Sequence, residues 1–297
     1  MNKFVTEMRN SKSENLHERS VFEIIQLINK EDKVVADIVG EALPQIELVI
    51  NKMIETIENG GRVIYFGAGT SGRLGVLDAS ECPPTFGVSP DVFKGVIAGG
   101  DSALRFAVEN AEDSKELGVE DVNTHVVPKD LVVGIASSGQ TPYVIGVVEQ
   151  ARKLGAYTVG LSCNPHSFLS DKVDIAVELP VGPEVITGST RMKAGTAQKM
   201  VLNIFSTTTM IKTGKIYKNL MVNVQATNEK LRKRAASIIS DLTGADEKKA
   251  REMNDIAQGD TRVAILMILF DVELEKAKSI IKKYNGNFVK AMQELSS

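Results

Sequence analysis

Five short Val/Ile-rich runs, Arg62–Phe66, Val92–Ala98, Leu131–Ala136, Thr158–Ser162 and Val173–Leu179, alternate with longer segments of helical periodicity through the middle of this chain. Each run is too short for a core helix and is bounded by Gly, Ser or Pro, so each reads as a strand. Strands separated by helices join through right-handed crossovers into a parallel sheet covered on both faces. The expected fold class is therefore α/β, a doubly wound five-stranded parallel sheet occupying residues 55–217.

The flanks read differently. Residues 1–20 are polar and weakly periodic, as expected of an irregular surface arm. From Val21 to about Glu58 apolar residues recur at three- and four-residue steps, which predicts amphipathic helices, with Pro44 near a helix start or break. Residues 1–54 are thus expected to be an arm and helices packed on the sheet domain. Past Lys212 strand signals stop. Residues 218–297 read as a small helical module, with Leu274, Ala277, Ile280, Ile281 and Tyr284 on one face and a Gly286-Asn287 turn before the last helix.

Composition narrows the function classes. The chain is 43% hydrophobic and 25% charged, ordinary for a globular protein with a sizeable core, and its net charge of -3 offers no global field for nucleic acid or anionic lipid. Its longest apolar run, Val263–Phe270, is far short of the roughly 20 residues a membrane span needs. Met1–Asn10 is too polar for an export signal, and Cys82 and Cys163 lie far apart, so a cytoplasmic protein without disulfides is expected. His125 and His166 lack partners at ligand spacing, which argues for no metal site.

The first strand runs into Gly67-Ala68-Gly69-Thr70-Ser71-Gly72-Arg73, a glycine-rich loop opening a helix. Glycines let backbone approach an anion, and the N–H groups of a helix start bind it. The loop satisfies G-x-G-x-x-G, yet a dinucleotide site also wants an acid closing the second strand. Here Asp91 precedes that strand and Asp101 lies beyond Gly99-Gly100. The Thr70 and Ser71 hydroxyls suit a phosphate monoester better, and a purely structural tight turn is the bland alternative. The third strand ends in Ser137-Ser138-Gly139-Gln140-Thr141-Pro142, a second hydroxyl-rich loop with Pro142 at a helix start. Two such loops, at the carboxyl ends of strands one and three, face the crevice where open parallel sheets bind ligands. A small phosphorylated ligand is expected, in contact with Gly69, Thr70, Ser71, Arg73, Ser137, Ser138, Gly139, Gln140 and Thr141. A third block, Thr187–Lys193 (TGSTRMK), adds Ser189, Thr190, Arg191 and Lys193, which either contact substrate or cap the following helix and pair with acids.

These loops resemble the sugar isomerase (SIS) domain, a phosphosugar-binding, flavodoxin-like fold. Longer stretches, Gly67–Gly87, Ala111–Ser114, Gly134–Pro142 and Gly182–Lys199, together with Thr6-Glu7-x-Arg9-Asn10, resemble the N-acetylmuramic acid 6-phosphate etherase family along nearly the whole chain. His17 stands where the resemblance implies an acidic residue. The resemblance implies cleavage of the D-lactyl ether at C3 of N-acetylmuramic acid 6-phosphate to N-acetylglucosamine 6-phosphate and D-lactate. The carbonyl of the open-chain sugar acidifies the C2 proton, so elimination needs a base at C2 and an acid at the ether oxygen, and water addition needs both again. Two carboxyl groups in different protonation states suffice, without a metal or redox cofactor. Glu81 and Glu112 match the family's catalytic glutamates. Glu81, between Ala79-Ser80 and Cys82-Pro83-Pro84, is expected to be buried, with a raised pKa, and to act as the acid; Glu112 would be the base. A phosphorylated amino-sugar substrate and a homodimer are implied. The competing readings are a non-catalytic phosphosugar-binding regulator and an aldose–ketose phosphosugar isomerase.

Overall fold

The strand segments form a single parallel sheet in the order β2-β1-β3-β4-β5, with β1 Val63–Gly67, β2 Phe93–Ile97, β3 Leu131–Ile135, β4 Tyr157–Ser162 and β5 Ile175–Glu178. This computed structural model describes residues 4–108, 110–223 and 229–296. The doubly wound α/β sheet expected from the sequence is the one observed. Every residue of β1 and β3 is buried, which is why these strands read as unbroken apolar runs rather than alternating ones.

Three helices precede the sheet: α1 Val21–Asp32, α2 Val34–Glu41 and α3 Leu43–Glu58. Ser20 and Glu23 start α1 with a reciprocal capping box, and Pro44 falls in the first turn of α3, where a missing N–H does no harm. The crossovers are α4 Gly69–Phe86, α5 Lys115–His125 and α6 Pro142–Lys153, and α7 Lys193–Lys212 follows β5. Apolar residues of the sheet and of α5 and α6, among them Ile64, Phe66, Val122, Val132, Tyr143 and Val147, make a continuous buried core. Strand order reverses between β1 and β3, so their carboxyl ends open side by side at the topological switch point.

The chain divides into two units, Met1–Ser80 with Asp91–Ser206, and Glu81–Pro90 with Thr207–Ser297. The second contains α8 Glu229–Thr243, α9 Glu247–Ile256, α10 Thr261–Phe270, α11 Leu274–Lys283 and α12 Phe288–Ser296. These helices enclose their own core around Ile239, Val263, Leu266, Ile280 and Phe288, with Tyr217 edge-on to the Phe288 ring at 5.5 Å. The longest apolar run of the sequence lies in α10, whose first turn Asp260 caps through Arg262 N–H and Val263 N–H. Among the described residues no helix is long and apolar enough to cross a membrane.

Candidate functional site

Gly67, the last residue of β1, pairs with Ile135, the last of β3, so the loops that follow them emerge as neighbours. The first loop turns at once into α4. A side chain at Gly72 would run into Gly67 O and Ile97 Cγ1, so this glycine serves the close packing of helix start on strand end. Gly69, by contrast, has φ +54° and open space where a side chain would stand. In the second loop Gly139 has φ +70°, and a Cβ there would collide with Ser167, so only glycine closes this turn. Ser138 Oγ accepts from Gln140 N–H at 3.2 Å, and the chain enters α6 through Pro142.

One buried amide connects the two loops. Gln198, on α7, accepts from Ser71 Oγ at 2.9 Å and donates to Ser137 Oγ at 3.0 Å. Glu112 arrives from a third direction: its carbonyl accepts from Tyr143 N–H at 3.0 Å, one of the N–H groups that a helix start leaves without an intrahelical partner. This contact ties the turn before α5 to the start of α6. Around these groups lies a cavity of about 330 Å³ lined by Gly69, Thr70, Ser71, Glu112, Asp113, Ser137, Ser138, Gln140, Thr141 and Thr190. Hydroxyls, backbone N–H groups and carboxylates wall it, with no cation among the lining residues, so an anion entering here meets neutral donors at the starts of α4 and α6.

The arm closes one side. Thr6 N–H donates to Asn164 Oδ1, and Asn164 Nδ2 donates in turn to Thr6 Oγ1, Ser137 O and Ser138 O. Asn10 donates to Glu31 Oε2 at 2.9 Å and to Pro183 O. These bonds bring Glu7 to the cavity wall.

A SIS domain model matches residues 104–207, and a glucokinase regulatory protein N-terminal SIS domain model matches residues 45–152. An N-acetylmuramic acid 6-phosphate etherase of Geobacillus sp. (strain WCH70) is 50% identical over 294 residues, covering 99% of this chain and 100% of that protein. The chain belongs to the N-acetylmuramic acid 6-phosphate etherase family. A second member of that family, from Actinobacillus pleuropneumoniae serotype 5b (strain L20), is 48% identical over 293 residues, 98% of this chain and 96% of that protein. In fold alone, the chain is similar to a solved Bacteroides fragilis structure of a proposed phosphosugar isomerase involved in capsule formation. The TM-score there is 0.52 at 19% identity, over 67% of this chain and 95% of that one.

Against this etherase-family background, the residues expected from sequence fall into three groups. Gly69, Thr70, Ser71, Ser137, Ser138, Gln140, Thr141, Thr190 and Glu112 line the cavity, while Gly139 is buried beneath it as a turn residue. Arg73 lines an adjoining cavity that shares Ala68, Gly69, Glu112 and Asp113 with the first. Ser189 and Lys193 line neither. Lys193 is only 2% exposed, and its Nζ donates to Glu31 Oε2 at 2.7 Å. Although burial alone would raise it, the Glu31 carboxyl is held down to about 2 by the Lys12, Lys193 and Asn10 donors. Lys193 therefore anchors α1 to the start of α7, and the arm with it, instead of facing a ligand. Glu184 completes that helix start by accepting from Lys193 N–H and Ala194 N–H.

Glu81 requires a correction. The prolines that follow it do not end the helix, which continues to Phe86, and Glu81 stands exposed on it, in the stretch assigned to the second unit. The burial expected for it is not found. The carboxyl of α4 that is buried is Asp78: burial pushes it up to about 6 against the opposing hydrogen bonds of Asn203, Ser206 and Tyr65. Sequence reasoning also left out Glu7, Asp113 and Gln198. For Gln198 no local signal stood out, since Thr196, Lys199 and Asn203 are polar neighbours on the same helix, and its partners were not readable.

Proposed function

We propose that this protein cleaves the D-lactyl ether of N-acetylmuramic acid 6-phosphate, yielding N-acetylglucosamine 6-phosphate and D-lactate. The observation that carries the reading is the cation-free hydroxyl cavity at the ends of β1 and β3, walled by Glu112, in a chain half identical to proteins of that name. Loops of this kind accept a phosphate ester by donating O–H and N–H groups to it, and a carboxylate beside them reaches the sugar carbons.

In the proposed sequence Glu112 removes the proton at C2 of the open-chain sugar. The C3–O bond then breaks, its electron pair leaving on the lactate oxygen, which takes a proton from an acid. Water adds at C3 of the resulting alkene, oxygen to C3 and hydrogen to C2. The family resemblance gives the acid role to Glu81, and that assignment stands on the resemblance, not on burial. The substrate-binding set is Gly69, Thr70, Ser71, Arg73, Ser137, Ser138, Gly139, Gln140, Thr141 and Thr190, with Ser189 beside it. We also take the protein to be a cytoplasmic homodimer. Val21, Phe22 and Ile25 are 77%, 68% and 54% exposed along α1, an apolar face that a second copy would cover, and both cysteines are buried and outside any disulfide, as suits a reducing compartment.

Incubation of the purified protein with N-acetylmuramic acid 6-phosphate should release D-lactate and N-acetylglucosamine 6-phosphate in equal amounts. Folded protein that binds the sugar and releases none would be a regulator instead; release of a ketose phosphate would mark an isomerase.

A further inference from the structure

We propose that the second cavity is the subsite for the lactyl arm and that Arg73 takes the lactyl carboxylate there. The inference rests on the etherase reading and adds to it which part of the substrate each cavity receives.

The substrate has two pieces, a phosphorylated sugar and a three-carbon acid, joined through oxygen at C3, next to the carbon that loses its proton. A base acting at C2 must therefore have sugar on one side and the C3 substituent on the other. The two cavities have that arrangement. They share Ala68, Gly69, Glu112 and Asp113, and all their other lining residues differ. The hydroxyl loops lie in one, and the other, about 300 Å³, has a different character. Its carbon surface comes from Ala98, Ala103, Phe106 and Val108, suited to a methyl group, and Arg73 is the one cation among the lining residues of either cavity.

Arg73 is also presented in a usable state. Its Nε donates to Leu104 O at 3.0 Å, which orients the guanidinium plane. Among the described residues it forms no ion pair, so the N–H groups at its far end keep the planar fork that matches a carboxylate. Glu112 and Asp113 make the shared wall acidic, and a second anion on the substrate needs a cation to be accommodated beside them. Phosphate does not compete for this role, because Arg73 does not line the hydroxyl cavity. Elimination would then break the link between the pieces, leaving lactate on Arg73 and the sugar on the loops.

The test compares ligands that differ only in the arm. For wild-type protein, replacing the lactyl carboxylate of N-acetylmuramic acid 6-phosphate by its primary amide should weaken binding about tenfold to hundredfold, the range for a charge-assisted hydrogen-bonded pair. Arg73→Met should lose a similar factor on the acid, bind acid and amide equally, and keep its affinity for N-acetylglucosamine 6-phosphate, which lacks the arm and so reports an intact fold. Arg73→Lys should recover part of the discrimination. A wild-type protein indifferent to the amide, or an Arg73→Met protein that still prefers the acid or loses the arm-less sugar equally, would overturn the proposal. Lactate release by the wild type tests the etherase reading separately, since these comparisons are of binding alone.

Discussion

The side chains of Ser71 and Ser137, at the ends of adjacent parallel strands, are joined through a single buried amide, Gln198. The two hydroxyls are not left equivalent. Ser71 uses its only proton on Gln198 Oε1, whereas Ser137 accepts from Gln198 Nε2 and does not spend its proton on the amide. A phosphate on these loops would take an O–H donor from Ser137 and only backbone from residue 71.

It follows that Ser137→Ala should weaken phosphosugar binding more than Ser71→Ala. Ser138→Ala combined with Thr141→Ala should weaken it further, by about tenfold for two lost neutral donors. Gln198→Met should lower thermal stability by about 1–3 kcal/mol, because two buried hydroxyls lose their partner. Calorimetric binding of N-acetylglucosamine 6-phosphate with melting curves checks all three; equal effects at 71 and 137 would contradict the donor assignment.

Glu112→Gln should abolish exchange of the C2 proton for solvent deuterium, since no base remains at that carbon. Glu81→Gln should block release of D-lactate while leaving some exchange, if it protonates the departing oxygen. Mass spectrometry of recovered sugar reads the first effect and a lactate assay the second. The reverse pattern exchanges the two roles.

Asp78 gives a pH dependence whose sign is determined by its burial. Its folded-state pKa, raised to about 6 from 3.8, means that the fold favours the neutral carboxyl. The contribution to stability is complete below the unfolded value and is lost as pH rises through about 6, on the order of 3 kcal/mol in all. Asp78→Asn removes the titration, so the melting temperature of wild type relative to this variant should fall between pH 4.5 and 7.5. A flat or rising difference would contradict the assignment.

The Lys193–Glu31 pair is buried at both ends, with Glu31 4% exposed. Lys193→Met strands that carboxylate with fewer donors and should cost about 3–5 kcal/mol. It should also speed protease cleavage within residues 1–20, since Asn10 and Lys12 hold the arm through the same carboxylate. Glu31→Leu together with Lys193→Met should restore part of the stability. A single variant as stable as wild type, with an equally protected arm, would remove the latch.

Much of the fold could be read locally. The strand segments stand within two residues of where Val/Ile runs bounded by Gly, Ser and Pro predict them, and α10 coincides with the densest apolar stretch. Pattern succeeded there because strand and helix periods are properties of neighbouring residues. Between the two readings open for Lys193, substrate contact or pairing with an acid, local pattern could not choose, for the opposite reason: it sits in a block rich in hydroxyls and charges, and its partner lies 162 positions away on α1. Burial was expected for Glu81 from the apolar neighbourhood of Ala79, Cys82 and the two prolines, whereas those prolines ride on a continuing helix that leaves Glu81 exposed.

By itself, then, the sequence determined a five-stranded parallel sheet with two hydroxyl loops at its switch point, since turn chemistry and apolar spacing are written residue by residue. The tertiary structure decided which hydroxyl donates to the buried amide and which accepts from it, which lysine faces a carboxylate instead of solvent, and which carboxylates stand on the cavity wall. The first two of those outcomes depend on partners 61 to 162 residues distant, and a hydrogen bond is specified by where both of its ends are placed.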